Sequence, residues 1–371
     1  MKKIAMTLVF CIFLSVFSVG SLILPDRKFS ENENRNLTTF PKPNLSSIAS
    51  GEWQKKINSW YSDQLLLRDE LISFKTGLQK LCGKKDIGGV YLCDDGFYME
   101  KKLPDHEKTA NFDKNLAVVS QFFENNQNTL GKENQSFMLV PSSADVLSKL
   151  LPEGALTPDY DYVYQKAFTL ATGKNVYVRE KLGVNAECNF YKTDHHWTTD
   201  GAAIAYIAYC EARGLTTKPF RRKELKTDFL GTAHSKVLDS AAKPDKIITY
   251  DLEDEPIYNV TADGKKLDFG IYDNSKLSTK DKYAYFFGGN YGEMKIENCG
   301  GEGHLLVIKD SFANCLLPFL LPHYEKVTVI DPRFFVGSVS EIIKKEDTDD
   351  VLVIYGVDTF MEEKTVSAIL G

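Results

Sequence analysis

Asp194-His195-His196-Trp197 places a carboxylate, two of the chain's six histidines and one of its three tryptophans in consecutive positions. Imidazole beside carboxylate suits two kinds of chemistry. One is proton transfer, in which the acid orients the ring; the other is metal ligation. The run from Ala202 to Ala212 is nearly all apolar or small, and Thr198, Thr199 or Asp200 can cap the helix it predicts. The polar run therefore sits on a loop leading into a buried helix, a rigid mount for reactive side chains. The plainer alternative is a wet loop whose histidines pack on Trp197. Metal ligation is the weaker chemical reading: adjacent histidines on an extended loop point in different directions, and no cysteine spacing forms a CxxC or Cys/His zinc pattern. The expectation is no metal and no cofactor.

Ser311 is the second reactive group. His304 to Ile308 reads as a buried strand, Lys309-Asp310-Ser311-Phe312 follows, and Ala313 to Leu321 reads as helical. A serine at a strand-to-helix turn lies near free backbone N–H groups, one of which can serve as an oxyanion donor. It is a weak nucleophile until a histidine removes its proton and an acid orients that histidine. Asp194-x-His196 supplies both. Alone, Ser311 would be a plain helix cap.

The surrounding elements read as α/β. Ser136–Val140, Val176–Val178, Val327–Ile330 and Val351–Tyr355 are strand patterns, and Glu107–Asn126, Tyr160–Ala171 and Val339–Lys345 are helical. Strand–helix alternation implies parallel pairing with right-handed crossovers and a site at the strand C-terminal ends, where Ser311, Arg333 and Asp358 fall. Asp94-Asp95-Gly96 between Val90–Cys93 and Phe97–Met99 predicts a hairpin. From about 216 to 303 the texture changes to short strand patterns (246–250, 271–272 and 283–287) and a glycine-rich Gly288-Gly289-Asn290-Tyr291-Gly292, read as a β-rich insertion at a substrate rim.

The 371 residues are 43% hydrophobic and 26% charged with net charge −6, values of a folded globular protein. Without a basic block beyond pairs such as Arg221-Arg222, nucleic acid is excluded as a partner. Lys2-Lys3 precede an uncharged run from Ile4 to Leu24, which predicts a signal anchor with the remainder outside, or a cleaved signal peptide. Cys11 lies in mid-run, against a lipoprotein. Residues 25–81 read as a polar stalk and helical segment, and 82–371 as the catalytic domain. The six cysteines Cys82, Cys93, Cys188, Cys210, Cys299 and Cys315 permit disulfides in an exported domain, and their spacing singles out no bridge.

Asp194-His195-His196-Trp197 resembles the signature of the DHHW family, which is similar to the alginate O-acetyltransferases with their SGNH-hydrolase-like domain. Glu33-Asn34-Arg35, Gly51-Glu52-Trp53, Asp63, Arg68-Asp69 and Asp94-Asp95-Gly96-Phe97 look like the same relatives' N-terminal pattern. Lys309-Asp310-Ser311-Phe312 looks like their Gly-Asp-Ser-type block with lysine for glycine. The resemblance implies an α/β, SGNH-hydrolase-like domain with a parallel sheet flanked by helices, a β-rich insertion and an N-terminal membrane anchor. It implies Ser311 as nucleophile, His196 as base and Asp194 as orienting acid, because His196 matches the Asp-x-His-Trp spacing. His195 and Trp197 are further substrate or oxyanion candidates. Relatives of this type complete the oxyanion hole with a glycine and an asparagine. Gly356 stands in one expected loop, and Asn290 is the substitute asparagine. Arg333 is a substrate-binding candidate, with a surface ion pair as its alternative. The implied activity is extracytoplasmic O-acetyl transfer to cell-surface or secreted polysaccharide, with a membrane-bound O-acyltransferase partner as acetyl donor. A carbohydrate acetylesterase with the same triad, or a non-catalytic polysaccharide-binding or assembly protein on this scaffold, are the alternatives.

Overall fold

The computed structural model describes residues 2–33, 35–169, 172–225 and 227–371. Asn34 of the Glu-Asn-Arg run, and Leu170 and Ala171 at the end of an expected helix, lie outside them. The chain forms two compact units, residues 1–88 with 234–242, and residues 89–233 with 243–371.

In the first unit the helix Lys2–Ile23 contains Ile4–Ile23, of mean hydropathy 2.3, long and apolar enough to cross a membrane; a signal sequence has the same character. Helices Glu52–Asp63 and Arg68–Leu81 follow. The charged residues of the N-terminal pattern meet there as ion pairs. Arg35 holds Asp63 at 2.6 Å and Arg68 holds Glu33 at 2.8 Å. Asp63 also accepts the Thr38 N–H at 2.8 Å. These residues act on the fold of their own unit.

The main sheet of the second unit has eight strands among the described residues: β1 Gln135–Val140, β2 Lys174–Asn175, β3 Asn259–Ala262, β4 Lys265–Lys266, β5 Glu293–Glu297, β6 His304–Lys309, β7 Lys326–Ile330 and β8 Asp350–Gly356. Their spatial order is β4-β3-β5-β7-β6-β8-β1-β2. From β7 to β2 all pairs are parallel. From β4 to β7 all are antiparallel. The sheet is therefore mixed, a correction to the parallel sheet expected. The insertion supplies β3, β4 and β5, which extend the sheet by satisfying the open backbone edge of β7.

Every residue of β1, β6 and β8 is buried, as expected of strands covered on both faces. Alternate side chains serve two cores. Leu305 and Val307 face a cluster containing Trp197, Ala202, Ala205 and Tyr209, while Leu306 and Ile308 face one containing Phe112, Val119, Phe123 and Phe360. The second cluster is covered by helix α1, His106–Leu130, which Asp105 caps by accepting the Glu107 N–H. The first is covered by α2, Thr199–Arg213, capped by Thr198.

Local readings failed mainly in the insertion. Residues 283–287, expected as a strand, begin instead as a 3-10 turn, Lys282–Tyr285, because the Asp281 carboxylate caps it by accepting the Ala284 N–H. Ile271–Tyr272 contributes only a bridge to Phe286. Glu293–Glu297 was not anticipated; its buried positions, Met294 and Ile296, alternate with partly or fully exposed charged ones. The helix expected over 313–321 is split into a 3-10 turn, Ser311–Cys315, and a short helix, Leu317–Leu320, with Pro318 in its first turn. The Asp-Gly hairpin forms as expected, with Leu92 opposite Tyr98 and left-handed Asp95 and Gly96 at φ 53° and 79°.

Buried Asn115 on α1 donates to the carbonyls of Phe360 and Glu363, both at 2.8 Å. Asn115→Ala strands both carbonyls and is expected to lower stability by about 1–3 kcal/mol, read from urea unfolding.

Candidate active site

The Asp-His-His-Trp run is the tip of a tight reversal. Phe190 and Trp197 form an antiparallel bridge, and the Tyr191 N–H donates to the His196 carbonyl at 3.2 Å. The Asp245 carboxylate fixes the outward strand by accepting the N–H groups of Lys192 and Thr193 at 2.9 and 2.8 Å. The return strand ends at Thr198, whose hydroxyl accepts the Gly201 N–H and starts α2. Trp197 is fully buried, and its indole N–H donates to the Phe312 carbonyl at 2.9 Å. It pins the histidine loop to the serine loop and does not present itself to a substrate, which corrects its candidacy.

Ser311 sits just past β6. Asp310 stations it: one carboxylate oxygen accepts the Phe312 N–H, the other the Gly356 N–H, each at 2.9 Å. The loops after β6 and β8 are thereby tied together. Gly356 consequently cannot offer its N–H to an oxyanion. Its lack of a side chain has a steric reason, since a Cβ there would lie 2.5 Å from the Phe312 ring. The Ser311 N–H has no partner among the described residues and is free to donate to a ligand oxygen.

The three groups expected to act together meet. His196 Nδ1 lies 2.6 Å from Asp194 Oδ1, and His196 Nε2 lies 2.8 Å from Ser311 Oγ. With Nδ1 protonated, the serine hydroxyl donates to Nε2. Asp194 is held on its other side by the Thr232 N–H and hydroxyl, at 2.8 and 3.0 Å. Gly231 is required there, because a Cβ would collide with the Asp194 side chain. Tyr283 stacks its ring on His196 at 4.0 Å and 11°, and its hydroxyl donates to the Ser311 carbonyl at 3.1 Å.

Burial alone would raise the Asp194 carboxyl, but His196, His195 and the Thr232 donor together hold it well below the usual carboxylate range. Burial and the neighbouring His195 bring His196 down to about 4 against the pull of Asp194. The ring is thus neutral at neutral pH, the form a general base needs.

His195 is set apart. Its Nδ1 engages the Thr232 hydroxyl at 2.6 Å, its ring lies 3.8 Å from that of His196, and its side chain is 33% exposed. Asp194, His195 and His196 offer donor atoms within 4.8 Å of one another. Both Asp194 oxygens, both His196 nitrogens and His195 Nδ1 are hydrogen-bonded within the site.

Asn290 and Arg333 are drawn elsewhere. Lys309, buried behind the site, donates to Asn290 Oδ1 at 2.7 Å and Asn314 Oδ1 at 2.9 Å, and lies 3.5 Å from Asp331. Burial pushes its ammonium down to about 8 despite Asp331. Arg333 forks onto Asp331 at 2.8 and 2.6 Å. Asn290 Oδ1 therefore accepts from Lys309 and from Asn314 Nδ2, and Arg333 follows its ion-pair alternative. Lys309, in the place of the resembling pattern's glycine, is accommodated because its ammonium ends among these oxygens. Thr232, Gly231, Asp245 and Tyr283 were not found by sequence reasoning. Only the Gly231-Thr232 pair carried a signal, a turn-forming dipeptide before a polar cap, and Tyr283 was hidden in a run that reads as a strand.

Two outcomes follow from this geometry. His196 titrates below 6.5 in the folded protein, so its neutral ring contributes stability that is complete above pH 6.5 and is lost as pH falls towards 4. Ring-proton NMR is expected to show the low midpoint, and His196→Gln to flatten the stability–pH curve across that window. Gly231→Ala forces Asp194 aside and is expected to cost about 1–3 kcal/mol in urea unfolding.

The sequence model of the DHHW protein family matches residues 158–330, a span that contains both Asp194-His195-His196-Trp197 and Ser311. No curated protein matches the chain in sequence. Among solved structures, a DHHW family protein from Eubacterium siraeum is similar with TM-score 0.63 and 22% identity, over 76% of this chain and 96% of that one. Bacillus cereus PatB1 with a sulfonyl adduct gives TM-score 0.61 and 21% identity, over 76% and 98%. PatB1 without the adduct gives 0.62 and 20%, over 74% and 97%. At these identities the likeness is one of fold. Residues 158–330 match the DHHW protein family, on a chain that shares its fold with the E. siraeum and B. cereus proteins.

Proposed function

We propose that this protein is an O-acetyltransferase acting on polysaccharide outside the cytoplasm through an acetyl-serine on Ser311. The observation that carries the reading is the unbroken hydrogen-bond chain from Asp194 through His196 to Ser311. Neutral His196 takes the Ser311 proton as Oγ adds to the acetyl carbonyl carbon of an ester donor. The oxyanion accepts from the Ser311 N–H. As the tetrahedral centre collapses, the donor's C–O bond breaks and its alcohol leaves with the proton from His196. An acceptor hydroxyl then adds to the acetyl carbon, gives its proton to His196, and displaces Oγ, which recovers that proton. Asp194 keeps Nδ1 protonated and stabilises the imidazolium.

The choice of acetyl and polysaccharide rests on the sequence resemblance to alginate O-acetyltransferases. So does a membrane-bound O-acyltransferase as donor. The extracytoplasmic placement rests on Lys2-Lys3 followed by the apolar helix. In an acetylesterase, water takes the acceptor's place at the same acyl-serine.

The test is acetylation by p-nitrophenyl acetate, with mass spectrometry of the peptide containing Ser311. An acetyl group on Ser311 is expected in the wild type and none in Ser311→Ala. His196→Ala is expected to slow p-nitrophenol release by about 10³-fold or more. Equal turnover in wild type and Ser311→Ala would remove the reading. Tyr283→Phe keeps the stack on His196 but loses the hydroxyl on the Ser311 carbonyl; an activity loss of about tenfold is expected, with Tyr283→Ala worse.

A further inference from the structure

A cleft of about 130 Å³ opens beside the triad, lined by Glu100, Lys102, Ser142–Ala144, His195, Phe312 and Val357–Thr359. Two of its walls belong to the reactive centre. The His195 ring lies tilted against that of His196, and Phe312 follows Ser311 in the chain with its ring 5.1 Å from that of His196. A larger, more open groove of about 1110 Å³, lined by Lys149, Asn185, Asp200 and Arg222, includes none of the triad.

Asp358 is fixed within this cleft and only half used. Ser142 donates to the Tyr160 hydroxyl at 3.2 Å, and that hydroxyl donates to Asp358 Oδ1 at 2.9 Å. Oδ2 has no hydrogen-bond partner among the described residues and is not one of the enclosed, unsatisfied atoms. The same holds for the Ser143 hydroxyl. His195 uses Nδ1 on Thr232 and has no partner on Nε2. The nearby ammonium of Lys102 is occupied by Glu362 at 3.1 and 3.2 Å. Phe312, Ala144 and Val357 supply apolar wall between these groups. Burial pushes the Asp358 carboxyl up to about 6, so at neutral pH it is mostly an anion and accepts hydrogen bonds.

An anionic acceptor, a hydroxyl and an imidazole nitrogen around an aromatic face match a sugar ring, which offers neighbouring O–H donors and an apolar C–H face. We propose that this cleft is the acceptor subsite, with Asp358 Oδ2 receiving a hydroxyl of a vicinal diol whose neighbouring hydroxyl is directed at the acyl-serine on Ser311. This rests on the acyl-serine reading above. The anion at Asp358 selects a diol over a lone alcohol, because it binds the hydroxyl that does not react. His195 lines the same cleft, and its side chain is partly exposed. Transfer follows the balanced step already written, the reacting hydroxyl forming the new C–O bond as the Ser311 Oγ–acetyl bond breaks.

The experiment uses the whole chain with p-nitrophenyl acetate as donor, and either methyl β-D-glucopyranoside or 1-propanol as acceptor at rising concentration. Acetylated acceptor and free acetate are quantified together. Saturable transfer to the glycoside, at concentrations where propanol takes acetyl only in proportion to its concentration, is expected. Asp358→Asn, which keeps the shape and loses the charge, is expected to raise the half-saturating glycoside concentration about tenfold. Ser143→Ala, a smaller change, is expected to raise it several-fold. Equal use of glycoside and propanol by the wild type would overturn the subsite, as would half-saturation unmoved in both variants. Absence of acetyl-Ser311 would instead overturn the acyl-serine reading and the subsite with it.

Discussion

The indole N–H of Trp197 donates to the carbonyl of Phe312, and the geometry of the site depends on that contact. It joins two loops 115 residues apart in the chain. One loop carries Asp194 and His196; the other carries Ser311. A hydrogen bond between imidazole and hydroxyl is useful for proton transfer only at close range. Both partners therefore need mounts that do not drift. Trp197 provides one by filling the core beneath the site while its polar edge reaches the neighbouring backbone, so that neither the indole N–H nor the Phe312 carbonyl is left unsatisfied.

The remaining supports form a second layer of the same kind. Asp310 ties the loop after β6 to the loop after β8 through the Gly356 N–H. Thr232 and Gly231 hold Asp194 from the side opposite His196. Tyr283 touches both halves, with its ring on His196 and its hydroxyl on the Ser311 carbonyl. Each support takes up a polar group that burial would otherwise leave without a partner. Asp194 and His196 are correspondingly buried and fixed in orientation, the condition that the proposed proton transfer requires. The insertion that extends the sheet also delivers Thr232 and Tyr283, so what reads as a peripheral elaboration completes the centre.

Much of the framework was legible in the sequence. The buried runs 135–140, 304–309 and 350–356 could be recognised because strands covered on both faces are continuously apolar, and α1 and α2 because capping residues precede periodic or small apolar positions. The parallel arrangement of β7, β6, β8 and β1 follows from strand–helix alternation. The antiparallel edge does not. Glu293–Glu297 is short and charged, and it becomes a strand only because β7 offers an unpaired edge. Residues 282–285 show the reverse: their β-forming aromatics lose to the Asp281 cap and to burial of the rings.

The sequence by itself determined which groups could react. It set acid, base and tryptophan within four positions, and a serine at the end of a buried strand, because local patterning and residue chemistry are properties of neighbours in the chain. Only the tertiary structure decided how each polar group spends its hydrogen bonds. The Gly356 N–H, the Asn290 carbonyl oxygen and the Arg333 guanidinium look available when read along the chain, yet Asp310, Lys309 and Asp331 engage them. Tyr283 carries no local mark, Thr232 only a turn signal and Asp358 only a place after a strand, yet two touch the Asp194–His196–Ser311 chain and the third faces the cleft beside it. A buried donor or acceptor must find a partner. Which partner it finds is set by strand order and loop crossing between residues a hundred positions apart, and no local pattern records that.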